Sequence, residues 1–410
     1  MLAGSFKPIP HIVQQHAEEA AILHDVRSAQ VTAPHVKLHH LRRIDDRIAA
    51  HLDGLAVAGE YGTSVCEMAL ESPGNGEVFA ATVRAIEEKD EPRLNKLFAL
   101  VQAVPESKDG LASAFSWVSA QFLQGTAVKL LTSTDPFRQQ IGISACVMHR
   151  VDPGAILTQL VAHPDQPLRA RALQAAGELG RRDLRSVCEN YLAEKDVNCR
   201  FWAAWSAVLL GNRRNALDLL KTFSSLTNPF QEEALQLVLK VLPSSDAHTL
   251  LKTLAQAADQ YRYLIRGVGI VGDPYYVPWL IKQMDDPKLA RLAGESFSLI
   301  TGLDLAYLDL ERDAPEGIEL GPNDDPEDDN VAMDEDDNLP WPDPIKIQAW
   351  WDANSSTFLN GERYLMGARV TREHCVQVLK DGYQRQRLAA AQYLCLLEPG
   401  TQLFPIGAPA

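Results

Sequence analysis

A repeat of about 31 residues in the middle of the chain constrains its fold more than any other feature. Each copy opens on an Asp or Asn and continues into an apolar segment; the openings are Asp135, Asp165, Asp196, Asn228, Asp259 and Asp286. Because one helical hairpin of this length cannot bury its own apolar face, such copies must stack on one another. The sequence therefore predicts a solenoid of helix pairs over residues 135–310.

Each copy carries residues that start and end a helix. The opening Asp or Asn predicts an N-cap, and a proline lies in or beside the first turn of four copies, at Pro136, Pro167, Pro229 and Pro287. The first helices are predicted to end near Gly180 or Gly211, which suit a left-handed C-cap. Arginines follow the openings, at Arg138, Arg169 and Arg200. They are candidate partner contacts, although we favour a structural role in which each donates to a neighbouring turn.

The copies over Asp135–Gly302 resemble HEAT repeats. In that pattern an Asp and a Pro precede an Ala-rich helix that contains an Arg and ends at Leu-Gly. The resemblance implies an all-α protein, an α-α superhelix that works by binding another protein. Residues 1–134 are predicted to be helical and packed on the array. Residues 344–410 are predicted to form C-terminal helices, where Arg385–Leu394 echoes a repeat helix and suggests a helical cap.

Residues 311–343 are predicted to form an acidic, Asp- and Pro-rich loop. They hold fourteen acidic residues and one arginine, which account for -13 of the net charge of -15. The rest of the chain is thus nearly neutral, which disfavours nucleic-acid binding. A solvated linker, loose binding of divalent ions and docking of a basic partner all stay open for this loop. The acidic residues that we select as candidate partner contacts are Asp328, Asp329, Asp336 and Asp337.

The aromatic residues fall into two groups. Trp202 and Trp205 lie at repeat-helix spacing, so we interpret them as core. Trp341, Trp350 and Trp351 flank the acidic loop, where they either staple the loop to the array or anchor a partner. We favour the staple.

Motifs that would indicate an enzyme are weak. Gly267–Gly272 matches G-x-G-x-x-G, yet the repeat register places it before a turn between two helices, so we expect close helix packing and no cofactor. His35 and His39 lack the further ligands that zinc needs. The chain has no His-Glu pair of the kind that HEAT-like hydroxylases use to bind iron. We predict no catalytic, cofactor or metal residue, and keep a HEAT-like metal enzyme or DNA glycosylase as the alternative.

Three sequence features indicate the cellular compartment of the protein. No apolar run approaches the roughly 20 residues of a membrane span, and the N-terminal residues lack the pattern of a secretory signal. The six cysteines are scattered without a C-x-x-C pair, which is typical of core thiols in a reducing compartment. We expect a cytoplasmic protein that does not insert into membranes.

Several segments resemble a bacterial family of HEAT-repeat proteins encoded beside type VI secretion components. They are HAEEAAIL from His16, LRRIDDRIAAHLDGLAVAG from Leu41, GLDLAYLDL from Gly302, GPNDDPEDDNVAMDEDDNLPWPDP from Gly321 and GERYLMG from Gly361. The resemblance implies an adaptor or chaperone that handles a type VI effector or a spike or tip component. An immunity-type binder of an effector is the alternative.

Overall fold

The computed structural model describes residues 8–318, 321 and 334–409. These residues form two compact units. The first runs to Ser206 and takes in the segment from Gln402 onwards, and the second is Ala207–Thr401. Because the division falls inside a repeat helix, the array predicted as one block belongs to both units.

The first unit contains twelve α-helices among the described residues, of which the first eight share one apolar core. Their bounds are α1 Pro10–Gln30, α2 Leu38–Val57, α3 Glu60–Ala69, α4 Asn75–Glu87, α5 Glu91–Ala103, α6 Lys108–Trp117, α7 Thr126–Leu131, α8 Pro136–Met148, α9 Ala155–Leu160, α10 Gln166–Glu178, α11 Arg185–Asn190 and α12 Val197–Leu209, which crosses the division. Buried apolar side chains from Val13 to Ala145 form a single cluster. The helices before residue 135 therefore share their core with α8, the first repeat helix.

The second unit continues the helical pairs and adds a small antiparallel hairpin. Its elements are α13 Asn215–Ser225, α14 Gln231–Val241, α15 Ser244–Leu254, α16 Tyr261–Val271, α17 Val277–Gln283, α18 Ala290–Thr301, α19 Pro344–Asn354, β1 Tyr364–Leu365, β2 Ala368–Arg369, α20 Arg372–Asp381 and α21 Gln384–Leu397. The Tyr364 amide donates to the carbonyl of Gly272, which ties the hairpin to the end of α16. The described chain is an all-α helical solenoid apart from this hairpin.

The predicted caps hold in the first three repeats and fail in the three later ones. The side chain of Asp165 accepts the amide of Leu168, and Asp135 caps α8 in the same way. In contrast, α14 begins only at Gln231, α16 only at Tyr261 and α18 only at Ala290. Asn228 accepts the Phe230 amide, before α14 begins. Asp259 lies in a 3-10 turn, and Asp286 accepts the Lys288 amide within the turn before α18. These three residues shape the preceding turns and do not cap the helices.

Neighbouring repeat helices approach closely where a glycine faces a serine. A Cβ added to Gly177 would lie 2.5 Å from the Ser206 hydroxyl, and one added to Gly269 would lie 2.9 Å from the Ser296 Cβ. Each serine hydroxyl donates to a carbonyl of the preceding repeat helix, at 2.6 Å for Ser206 and 2.9 Å for Ser296. A hydrogen bond therefore crosses each of these close contacts.

Candidate protein-binding site

Two of the three selected arginines complete turns of the first unit. Nη1 of Arg169 donates to the carbonyl of His163 and Nη1 of Arg200 to that of Glu194, each at 2.9 Å and each six residues back along the chain. Arg169 is buried, and its guanidinium lies 5.5 Å from the centre of the Tyr191 ring. Arg169 and Arg200 thus donate to the turns before their own helices, as the structural role favoured from the sequence requires.

Arg138 lies in a different environment, and its side chain is 28% exposed. Its guanidinium stacks 4.4 Å above the Phe98 ring and lies 3.7 Å from the Asp135 carboxylate. A partially exposed cation on an aromatic ring can still contact a partner without losing its local support. Arg138 therefore stays a candidate contact residue.

The end of the acidic loop is bound by arginines of the second unit. Residues 334–336, here called the acidic strap, lie against the starts of α16 and α18. Arg262 Nη2 lies 2.6 Å from a carboxylate oxygen of Asp336, and Arg291 Nη2 lies 2.7 Å from one of Asp334. Arg291 Nη1 also donates to the backbone carbonyl of Asp336, at 3.0 Å. Two arginine side chains thus bind two carboxylates and one backbone carbonyl of the strap, which fixes the strap to two successive repeats.

This placement corrects one of the selected acidic contacts. Asp336 is only 3% exposed, so its carboxylate is an internal ion-pair partner and not an open docking group. The neighbouring Asp337 is exposed and accepts a hydrogen bond from the Asn338 side-chain amide. Asp328 and Asp329 lie outside the described residues.

Backbone pairing closes the acidic loop at its base. Residues Glu311 and Pro342 form an antiparallel bridge, and the Arg312 amide donates to the Trp341 carbonyl at 2.9 Å. Trp341 itself is buried, with the Arg291 guanidinium 4.8 Å from its ring centre. Trp341 therefore joins the loop base to the same arginine that binds the strap.

The other two tryptophans pack within the C-terminal helices. Trp351 is buried 5.4 Å from the Phe358 ring, measured between ring centres, and Trp350 meets Phe297 of α18 edge-on at 6.1 Å. Contacts inside the chain cover Trp341 and Trp351. The staple interpretation agrees with the contacts of Trp341, whereas Trp351 packs on Phe358 beyond the loop and half-buried Trp350 keeps some surface for a partner.

Helix α21 covers part of three successive repeat helices in the second unit. Arg385 donates to both carboxylate oxygens of Glu295 on α18, at 2.9 and 3.1 Å. The Tyr393 hydroxyl donates to the Ile270 carbonyl on α16, and the same ring lies 5.7 Å from the Lys240 ammonium on α14. The echo of a repeat helix at Arg385–Leu394 correctly predicted a helix here, but nothing in it indicated these contacts.

Burial shifts the pKa values of the charged groups beneath α21. Burial lowers the pKa of Lys240 well below its usual range, and nearby Arg363 acts in the same direction. Burial raises the pKa of Glu295, while Arg385 opposes that rise. Sequence reasoning missed this cluster because its members come from positions far apart in the chain.

The glycine motif packs helices together. Gly267 and Gly269 lie within α16, and Gly272 ends that helix in a left-handed conformation with φ of +72°. A Cβ added to Gly272 would lie 2.2 Å from the Tyr364 carbonyl oxygen. A dinucleotide site needs a strand before the first glycine, and a helix occupies that place here.

Thiols and histidines of the described chain show no assembled reactive site. All six cysteines are buried, and burial raises the pKa of Cys66 and of Cys188 to about 12, which disfavours the reactive thiolate. The His39 ring packs edge-on against that of His40. Among the described residues, no three His, Cys, Asp or Glu side chains come together as a metal ion would require. Nor does any described helix have the length and apolar character to cross a membrane.

Residues 154–240 match the family model for HEAT repeats. The match begins just before α9 and ends within α14, inside the array predicted from the 31-residue period. It confirms HEAT repeats in this part of the chain. In comparisons with the curated proteins and with the solved structures, nothing matched the chain.

Proposed function

We propose that this chain is a protein-binding scaffold built on HEAT repeats. The observation that carries the proposal is the run of stacked repeat helices matched by the HEAT model. Stacked helices present extended surfaces whose shape can fit a partner, and HEAT repeats are generally protein-interaction scaffolds. We further propose that binding, and not catalysis, is the activity of the chain.

The partner we propose is an effector or a spike or tip component of type VI secretion, handled by the chain as an adaptor or chaperone in the cytoplasm. The support is the resemblance of five segments to the bacterial HEAT-repeat family, including those from His16, Leu41 and Gly302. An immunity-type binder would use the same kind of surface to hold an effector inactive. The two roles differ in outcome, since only immunity protects a cell that produces the effector.

The test is affinity purification of the tagged chain from its own host, followed by mass spectrometry. The intact chain is compared with a variant in which residues 319–333 are replaced by a short Gly-Ser linker. This replacement ends before Asp334 because the acidic strap holds Arg262 and Arg291, and its removal would confuse lost folding with lost binding. A tag-only purification provides the background.

Enrichment of a secretion component by the intact chain supports the adaptor role, and its loss in the linker variant assigns docking to the acidic loop. Enrichment of a toxic effector, together with protection of cells that express it, supports the immunity role. Enrichment of no protein above background contradicts the binding proposal and favours the enzyme alternative.

A further inference from the structure

A segment of the first unit, residues 402–409, lies across the carboxyl ends of three helices. The Leu403 amide donates to the carbonyl of Glu178, the last residue of α10, at 2.8 Å. The guanidinium of Arg150, just beyond α8, lies 5.8 Å from the centre of the Phe404 ring. Nη1 of Arg27, near the end of α1, donates to the Gly407 carbonyl at 3.1 Å. The carboxyl ends of α10, α8 and α1 thus form a groove, here called the helix-end groove.

The helix-end groove offers fixed groups that recognise a peptide backbone. The last carbonyls of a helix have no partner within that helix, so Glu178 presents an acceptor for an amide of an extended peptide. Arg27 presents a donor for a peptide carbonyl. Its side chain is 11% exposed and is paired with the Asp45 carboxylate. The Trp117 ring, with its centre 5.9 Å from the guanidinium, holds Arg27 further in place. Both groups are therefore positioned before a peptide binds.

Two features of the groove select side chains. Arg150 favours an aromatic ring, because a cation is attracted to the ring face. Close to α1, a Cβ added to Gly407 would lie 3.1 Å from a Val31 methyl, so a small residue fits best there. The groove is therefore expected to select a peptide in which an aromatic residue is followed three positions later by a small residue.

The resident segment is suited to exchange. It forms neither a helix nor a strand, and its residues are mainly half-buried. Phe404 keeps 36% of its surface exposed. The segment thus has no regular secondary structure, whereas Arg27 beneath it has a nearly buried side chain that is paired with Asp45.

We propose that the helix-end groove binds an extended segment of a partner protein, with an aromatic residue at the Arg150 position and a glycine three residues later. The chain's own residues 402–409 occupy the groove until such a segment displaces them. This inference rests on the proposed function, since it names the part of the partner that a protein-binding scaffold would hold. Tethering gives the resident segment an effective concentration on the order of millimolar, so the intact chain should bind a competing peptide only weakly.

The test uses a fluorescent peptide with the sequence of residues 400–409 and the full-length chain, followed by fluorescence anisotropy. The intact chain is compared with its Phe404→Ala variant, in which the resident segment is weakened. We expect the variant to bind the peptide about tenfold more tightly than the intact chain does, because its own segment competes less well. Adding Arg150→Ala to the variant should weaken peptide binding about threefold.

Two controls make the result specific. A peptide with alanine in place of its phenylalanine should bind the Phe404→Ala chain about tenfold more weakly than the original peptide. The matched chain control is Tyr307→Ala, which removes an aromatic side chain that is 85% exposed in the second unit and should leave peptide affinity unchanged. Circular dichroism establishes that each variant is folded.

The proposal is overturned if the folded Phe404→Ala chain does not bind the peptide, or if it binds both peptides equally well. It is also overturned if the intact chain forms a dimer that the peptide dissociates, since a second copy would then be the occupant. None of these results depends on a natural partner. Failure of the groove and failure of the scaffold function are therefore separable.

Discussion

Arginines near the starts of repeat helices find different partners in the two units. In the first unit, Arg169 and Arg200 donate to carbonyls six residues earlier, so each repeat completes its own turn. In the second unit, Arg262 and Arg291 bind the acidic strap, which lies 43 to 74 residues later in the chain. An arginine near the start of a repeat helix can thus stabilise a nearby turn or bind a distant segment of the chain.

The comparison implies different dependence on the rest of the chain. Arg169 and Arg200 keep their hydrogen bonds as long as the adjacent turn is formed, although Arg169 also lies 3.8 Å from the Glu194 carboxylate, further along the chain. Arg262 and Arg291 would lose these carboxylate partners if residues 334–336 moved away, and Arg291 is only 8% exposed. Burying an unpaired charge is costly, so the second unit should be stable only with its strap in place.

Replacing Arg291 should have the largest effect. Arg291→Met removes the bond to the Asp336 carbonyl and leaves the Asp334 carboxylate, 16% exposed, without its cation. We expect a loss of about 3 to 5 kcal/mol in the free energy of unfolding, measured by urea denaturation. The matched change Arg169→Met should cost about 1 to 2 kcal/mol, because it leaves mainly a carbonyl unsatisfied. Equal losses for the two variants would show that binding the strap stabilises the second unit no more than a local hydrogen bond does.

Glycines with positive φ provide a second comparison. Gly272→Ala in the second unit places a Cβ 2.2 Å from the Tyr364 carbonyl oxygen, whereas Gly154→Ala in the first unit meets nothing within 4 Å. We expect a loss of about 3 kcal/mol for Gly272→Ala and of about 1 kcal/mol for Gly154→Ala, which carries the backbone strain alone. Thermal unfolding of both variants measures the difference. A milder effect at Gly272 would mean that β1 moves aside at little cost.

Neutralising the strap at a single carboxylate should have a smaller effect. Asp336→Asn keeps the shape of the side chain but removes the charge that pairs with Arg262, so we expect a loss of about 2 kcal/mol. The adjacent Asp337 is exposed, and Asp337→Asn should change stability by less than about 0.5 kcal/mol. Urea unfolding in low and high salt compares the two. Similar values would contradict the internal role of Asp336.

The smallest effect we expect is a pH dependence in the first unit. His24 is 4% exposed and stacked on Phe79. Burial lowers its pKa from 6.5, against the opposing hydrogen bond to Asp25. Below pH 6.5 the unfolded chain takes up a proton that the folded chain does not bind, so stability falls as the pH falls.

The melting temperature, followed from pH 7.5 to pH 5, tests this dependence. The decrease should be shallower in His24→Leu than in the intact chain. The exposed His11 provides the control, and His11→Leu should leave the slope unchanged. A slope that does not respond to His24→Leu would place the pH dependence elsewhere.

The sequence was sufficient wherever a structural partner lies nearby in the chain. Asp165 and Gly180 marked the start and end of α10, and residues 1–134, predicted to be helical, contain α1 to α7 within their described part. The HEAT match at residues 154–240 falls within the segment that the repeat period selected. These features are predictable because a cap or an apolar stripe involves residues within a few turns of one another.

The sequence was insufficient wherever a contact joins distant segments. The charge pattern identified the acidic loop, but nothing in it showed that Asp336 would be buried against Arg262, 74 residues away. The β hairpin was missed because each of its strands has only two residues and pairs at the end of α16. Local patterns carry no information on which distant carbonyl or cation will lie opposite.

Hydrogen-deuterium exchange on the intact chain and on the double variant Asp334→Asn, Asp336→Asn tests the dependence of the second unit most directly. We expect faster exchange in α16 and α18, the two helices that carry the strap's arginines, with α8 and α10 unchanged. Unchanged exchange in α16 and α18, or equally fast exchange in both units, would contradict the claim that the later repeats depend on the acidic strap.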